Sequence, residues 1–139
     1  MSFCLHEQLA ADTIHLGQSS LCEIRLMNDS TWPWVLLVPR RAGIRELYEL
    51  NDADQWQLLR ESSALGRAMM AGFSGDKLNL AALGNRVPQL HLHHIVRFVE
   101  DAFWPDPVWG KQSAVAYSKG LLAQRLEILG PVLAAVKSV

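Results

Sequence analysis

The chain has 139 residues, half of them hydrophobic and 19% charged, with 13 basic against 14 acidic side chains and a formal charge of −1. That composition suits a single domain over residues 1–139 that buries its own core, and it excludes disorder and the strongly basic surface of a general nucleic-acid binder. No apolar run reaches the roughly 18 residues that cross a bilayer, and the N-terminus lacks the basic start of a secretory signal, so the reading is a cytoplasmic protein with no membrane partner and with Cys4 and Cys22 as free thiols.

Residues 5–11 read as a short helix and 12–16 as a short strand, closed by the turn-like Gly17-Gln18-Ser19-Ser20. Leu21 to Met27 alternates as a half-buried strand, and the apolar run Trp34 to Val38, closed by Pro39, reads as a more fully buried one; the turn Asn28 to Thr31 joins them as a hairpin. A helical turn is expected near 46–50. Asn51 or Asp52 then caps one long helix to about Gly72, with Leu58, Leu59, Leu65, Met69, Met70 and Phe73 facing inward and Gln57, Arg60, Glu61 and Arg67 outward. Strands follow at 77–83 and 89–98, linked through Gly84 to Pro88. The segment from Asp101 to Gly110 is rich in Trp and Pro and irregular. Ser118 caps a C-terminal helix through Leu129, which Gly130-Pro131 is expected to break. About five strands joined by hairpins, with separate helices, indicate an α+β fold around an antiparallel sheet.

The chemistry concentrates in Gln89-Leu90-His91-Leu92-His93-His94. Alternate residues of a strand share a face, so Gln89, His91 and His93 point one way and Leu90, Leu92 and His94 the other. The apolar face is expected to pack on the helices and the polar face to look into an open cavity. Two imidazoles in phase support a metal pair, with a third ligand to be found among His6, His15, Asp12 or Glu100, or nucleophilic attack on phosphorus, or satisfied surface histidines. His94, His6 and His15 read as structural, as do Arg97 and the Arg40-Arg41 pair. The sequence contains no P-loop, dinucleotide-binding, Cys-x-x-Cys or serine-hydrolase motif.

Gln89-x-His91-x-His93-x-x-x-Arg97 resembles the signature of the histidine-triad (HIT) superfamily, in a bacterial branch with Gln at the first triad position and a Trp-Pro-rich tail. Val35 to Pro39 resembles the family's early strand, and Asn79 with the Gly84-Asn85 turn resembles the segment lining its nucleotide pocket, so the likeness covers roughly residues 10 to 105. It implies a HIT-like α+β fold with about five antiparallel strands, one long helix and a C-terminal helix. It also implies a nucleotide phosphohydrolase or nucleotidyl transferase acting at an α-phosphate without a cofactor or metal. The middle histidine, His91, would be the nucleophile, His93 would contact phosphate oxygens or the leaving group, and Gln89 would orient by hydrogen bonding. Asn28, Asn79 and Asn85 would contact the nucleotide. A nucleotide-binding protein of little turnover and a metal-dependent hydrolase using His91 and His93 are the alternatives. Family members are commonly homodimers, and Phe103, Trp104, Val108 and Trp109 are apolar side chains on a tail that Pro105 and Pro107 keep irregular. Trp104 or Trp109 is therefore expected against a partner subunit or at the mouth of the His91 pocket.

Overall fold

The computed structural model describes residues 1–139. Its core is a five-stranded sheet of β1 (Thr13–Gln18), β2 (Cys22–Met27), β3 (Trp34–Pro39), β4 (Lys77–Ala81) and β5 (Leu92–Arg97), in the order β1-β2-β3-β5-β4 with every neighbouring pair antiparallel. This is the α+β arrangement that the strand pattern implied. Helix α1 spans Glu7–Asp12, α2 Asp52–Phe73 and α3 Lys119–Lys137, with a single 3-10 turn at Leu47–Glu49. No helix is long and apolar enough to cross a membrane.

The central strand explains the layering. All six residues of β3 are buried, so both of its faces must be covered. Val35 and Leu37 look toward α2 and α3, where they join Ile24, Leu58, Leu65, Met69, Val96, Leu129 and Val132 in the larger core. Trp34, Leu36 and Val38 look the other way, into a second cluster with Leu9, Trp32, Ile95 and Val108. The polar face expected to open into a cavity is therefore roofed by α1 and the Trp-Pro tail.

Helix α2 starts where its cap predicts: the Asn51 side chain accepts the Asp54 N–H, and Asp52 and Asp54 sit in the positive first turn. It ends at Ser74 in the left-handed conformation (φ 52°), followed by Gly75, where a side chain would clash with Val96. The expected stripe needs two corrections. Leu59 is 56% exposed, whereas Glu61 is fully buried. The Glu61 carboxylate accepts from the Leu21 N–H, the Ser19 hydroxyl and the Gln57 amide, so it satisfies the β1–β2 turn from inside the core.

Two boundaries also move. Strand β4 stops at Ala81, and β5 starts at Leu92, three residues after Gln89. Ser118 does cap α3, through the Leu121 N–H, but the helix runs on through Gly130-Pro131 to Lys137. Pro131 removes one hydrogen bond on an exposed side of the helix, while the buried stripe Leu129, Val132 and Val136 continues across it. Packing of that stripe outweighs the missing bond.

Candidate active site

Register sets the geometry. Leu36 of β3 opposes His93, Val35 opposes His94, and Ala81 of β4 opposes His93. His93 therefore shares a face with Trp34, Leu36 and Ile95, while His94 lies on the helix face with Val35. The alternation read from the sequence holds across 92–97. His91 precedes the strand and still comes beside His93, with ring centroids 4.9 Å apart. Both rings are buried.

Each imidazole has one nitrogen engaged. The His91 Nδ1–H donates to the Gln89 carbonyl oxygen at 2.7 Å, which leaves the Nε2 lone pair free. The Trp34 indole N–H donates to His93 Nδ1 at 3.0 Å, which puts the His93 proton on Nε2. Burial lowers the His91 pKa; the Gln89 carbonyl works against this, and His6 adds to it. Burial, then His91 and His94, bring His93 down to about 3. Both rings are neutral at pH 7.

His94 is a satisfied core histidine. Its Nδ1–H donates to the Leu92 carbonyl, its Nε2 accepts from the Ser62 hydroxyl at 2.7 Å, and it has no exposed surface. His15 pairs with Glu23 at 2.7 Å. Arg40 caps the carbonyls of Ser19 and Ser20, and Arg41 pairs with Asp54. No group of three or more His, Cys, Asp or Glu side chains comes together to hold a metal ion.

The other residues singled out in the sequence divide. The Gln89 side chain points at the N-terminal segment: its Oε1 accepts the His6 N–H and its Nε2 donates to the Cys4 carbonyl, both at 2.9 Å. Asn85 is exposed on the turn after β4, and the adjoining Gly84 lines a cleft with Arg45, Glu46, Pro88 and His91. Asn79 shares the His93 face, two residues from Ala81, and its Oδ1 accepts from Arg97. Asn28 follows β2 at the Trp34 end of β3, away from the end where β5 begins, and its Oδ1 accepts the Tyr117 N–H.

The tail completes the site from the same subunit. Trp109 packs edge-on against His93 at 5.1 Å and against Trp34 at 6.0 Å, and Phe103 packs on Trp32. Arg97 anchors this lid. Its side chain is 1% exposed and bonds both oxygens of Asp101, the Asp106 carbonyl and Asn79, with its guanidinium 5.9 Å from the Trp104 ring. Trp109 thus stands by the histidines and is folded onto its own chain. Sequence reasoning missed Trp34 as a neighbour of the site, although parity made it recoverable, since it alternates with Leu36 and Val38. It named His6 only as a possible metal ligand or a structural residue, because nothing local tells that its segment docks on Gln89.

Comparison with known proteins agrees with this geometry. Residues 8–100 match the HIT domain family. No sequence among curated proteins matches the chain. Among solved structures it resembles a histidine triad protein from Marinobacter aquaeolei VT8, at 59% identity and TM-score 0.96 over 98% of this chain and 99% of that one. It also resembles a histidine triad protein from Bradyrhizobium japonicum, at 41% identity and TM-score 0.90 over 93% and 96%. A third, from Sinorhizobium meliloti 1021, shows 38% identity and TM-score 0.90 over 96% of each chain. A buried His91–His93 pair at the start of β5 in a five-stranded antiparallel sheet and a family match over two thirds of the length give one conclusion: the chain belongs to the HIT domain family of histidine triad proteins.

Proposed function

We propose that the protein is a nucleotide phosphohydrolase or nucleotidyl transferase that works at an α-phosphate through a nucleotidyl-histidine. The observation that carries this reading is the His91 Nδ1–H on the Gln89 carbonyl, because it leaves a neutral ring with a free Nε2 lone pair. His91 Nε2 attacks the α-phosphorus, and the bond to the leaving group breaks with its electron pair. Water then attacks the same phosphorus, the P–N bond returns its pair to Nε2, and the nucleoside monophosphate departs with the water proton released to solvent. Catalysis here is positioning and charge stabilisation, with His93 Nε2–H and the backbone around Asn85 serving the phosphate oxygens. Asn79 spends its carbonyl oxygen on Arg97 and Asn28 spends its own on the Tyr117 N–H just before α3, so we assign Asn79 to holding the lid and Asn28 to seating the segment that leads into α3.

One observation favours the reading as a nucleotide-binding protein of little turnover: both ends of the Gln89 amide are engaged by the N-terminal segment. A panel of dinucleoside polyphosphates, adenylyl-amidates and nucleotide sugars, with and without a chelator, separates the readings. Turnover that survives the chelator supports the nucleotidyl-histidine. Binding without turnover supports the binding protein, and turnover lost to the chelator and restored by zinc supports a metal-dependent hydrolase. We further propose a cytoplasmic homodimer, formed through the apolar face of α2 and the edge strand β4.

A further inference from the structure

Breaking a bond to phosphorus requires a destination for the leaving group's electron pair. An amine or alkoxide leaves with a proton, which a cationic imidazole or a carboxylic acid near the scissile bond must supply; a carboxylate, phosphate or phenolate leaves as a stable anion. The site withholds that proton. A cationic imidazole carries N–H groups on both nitrogens, but the Nδ1 of His93 faces the Trp34 indole N–H at 3.0 Å. Trp34 has no room to turn away. It is held on β3 opposite Ile95, it is 7% exposed, and Trp32 and Trp109 pack on it at 6.4 and 6.0 Å. The first triad position, Gln89, has no titrating group, and the His91 Nδ1–H is held by the Gln89 carbonyl. Arg45 does not release its proton. His6 and Glu46 are the remaining titratable neighbours.

We propose that Trp34 is a positioning residue that holds His93 as a neutral hydrogen-bond donor, so that the site takes nucleotide esters and mixed anhydrides whose leaving group departs as a stable anion, in preference to phosphoramidates. This rests on the nucleotidyl-histidine reading above. In the first step the His91 Nε2–P bond forms and the P–O bond to the leaving group breaks. The oxygen keeps the electron pair, no proton crosses to it, and the positive charge gained by the His91 ring stays over the Gln89 carbonyl. Burial of His93 beside His91 and His94 acts in the same direction as the indole.

The test is a series of substituted phenyl esters of adenosine 5′-monophosphate and a matched series of adenylyl anilides, followed by kcat/KM against leaving-group pKa. For wild type, rates of the esters fall by on the order of tenfold per unit, and the anilides are slower than esters of similar leaving ability by about 100-fold or more. Trp34→Phe keeps an aromatic ring and removes the N–H; it flattens the ester slope to less than about threefold per unit and extends turnover of poor leaving groups at acid pH. A shallow wild-type slope, whether His6 or Glu46 supplies the proton, overturns the proposal. Should Trp34→Phe fail to fold, the wild type still decides. A through-bond 15N coupling between Trp34 Nε1 and His93 Nδ1 is expected, and a proton on His93 Nδ1 at neutral pH overturns the proposal. Absence of turnover across both series, with no adenylyl adduct on His91, overturns the nucleotidyl-histidine reading itself, a result distinct from a shallow slope.

Discussion

The imidazole of His91 leans back on its own chain, with Nδ1 2.7 Å from the carbonyl oxygen of Gln89 two residues earlier. A main-chain carbonyl fixes the tautomer, so the ring presents a lone pair whatever side chain stands at 89. His91→Ala should cut turnover by on the order of 1,000-fold or more while leaving nucleotide binding within about tenfold. Intact mass of rapidly quenched wild type should show the nucleotidyl adduct, and its absence together with normal turnover in His91→Ala would sink the assignment. Because burial holds the His91 pKa below its ordinary 6.5, the ring stays neutral as pH falls through that value. The acid limb of kcat/KM should therefore lie below 6.5, and a limb above it contradicts the geometry.

The side chain of Gln89 does a different job from its carbonyl. Its amide fastens the Cys4 and His6 backbone. Gln89→Ala should free residues 1–6 to proteolysis and cost about 1–2 kcal/mol, since two hydrogen bonds are lost at a partly exposed place. The His91 tautomer should survive. A kcat loss in Gln89→Ala as deep as that of His91→Ala, with the N-terminus still protected, would show that the amide works on the substrate instead.

Most of this fold is legible in the sequence because its signals are local. The β2–β3 hairpin is written in alternation and a turn, α2 in its Asn51 cap, and the His face in the parity of β5. What is not legible depends on contacts far along the chain. Glu61 reads as solvated until the β1–β2 turn brings Leu21 and Ser19 to it across 40 and 42 residues. Pro131 reads as a break because the packing of Val132 and Val136 that keeps α3 whole is tertiary. The His face reads as open because its cover is tertiary: Trp109 is expected near the pocket mouth, but its packing on His93, and that of Trp34, depends on contacts far along the chain.

Buried neutral histidines set the acid stability. His94, fully buried between Ser62 and the Leu92 carbonyl, is held at about 4 by burial. Its folded pKa lies below the 6.5 of an unfolded chain, so between these values the unfolded state binds more protons. Stability then rises with pH across that window and is lost as pH falls from 6.5 toward 4. Urea melts at pH 7.5, 6 and 5 should show a progressive loss, and a flat profile would contradict the assignment. Ser62→Ala leaves His94 Nε2 buried without a partner and should cost about 1–3 kcal/mol at pH 7.5.

The lid over His93 hangs on one ion pair. Arg97 and Asp101 meet at 2.9 Å with side chains 1% and 9% exposed, and the Arg97 hydrogen bonds are the first reason the Asp101 pKa falls to about 2. Arg97→Met leaves the Asp101 carboxylate with only the Phe98 and Phe103 N–H groups and should cost about 2–3 kcal/mol. It should also release the Asp106 carbonyl and let Trp109 leave His93. Near-ultraviolet circular dichroism from the Trp32, Trp34 and Trp109 cluster should weaken in Arg97→Met at a temperature where the fold persists. An unchanged signal would place the tail's anchorage elsewhere.

The dimer interface should avoid the tail. Val108 is buried, and Phe103 and Trp109 pack against the same subunit, so the tail's apolar side chains are largely consumed at home. The unsatisfied apolar surface is on the other side of the sheet. Leu47, Trp56, Leu59 and Leu80 are each about half exposed or more, and they line a groove of about 420 Å³ between the 3-10 turn, α2 and β4. Strand β4 is also an edge, with one row of backbone groups unpaired. A second copy placed there would cover the patch and the edge together, and such contiguous apolar surface is what association buries. Sedimentation at micromolar concentration should give a dimer for wild type and for Trp104→Ala, and a monomer for Trp56→Glu and Leu80→Lys. A wild-type monomer would end the claim, and a dimer that survives both charged substitutions would move the interface off this face.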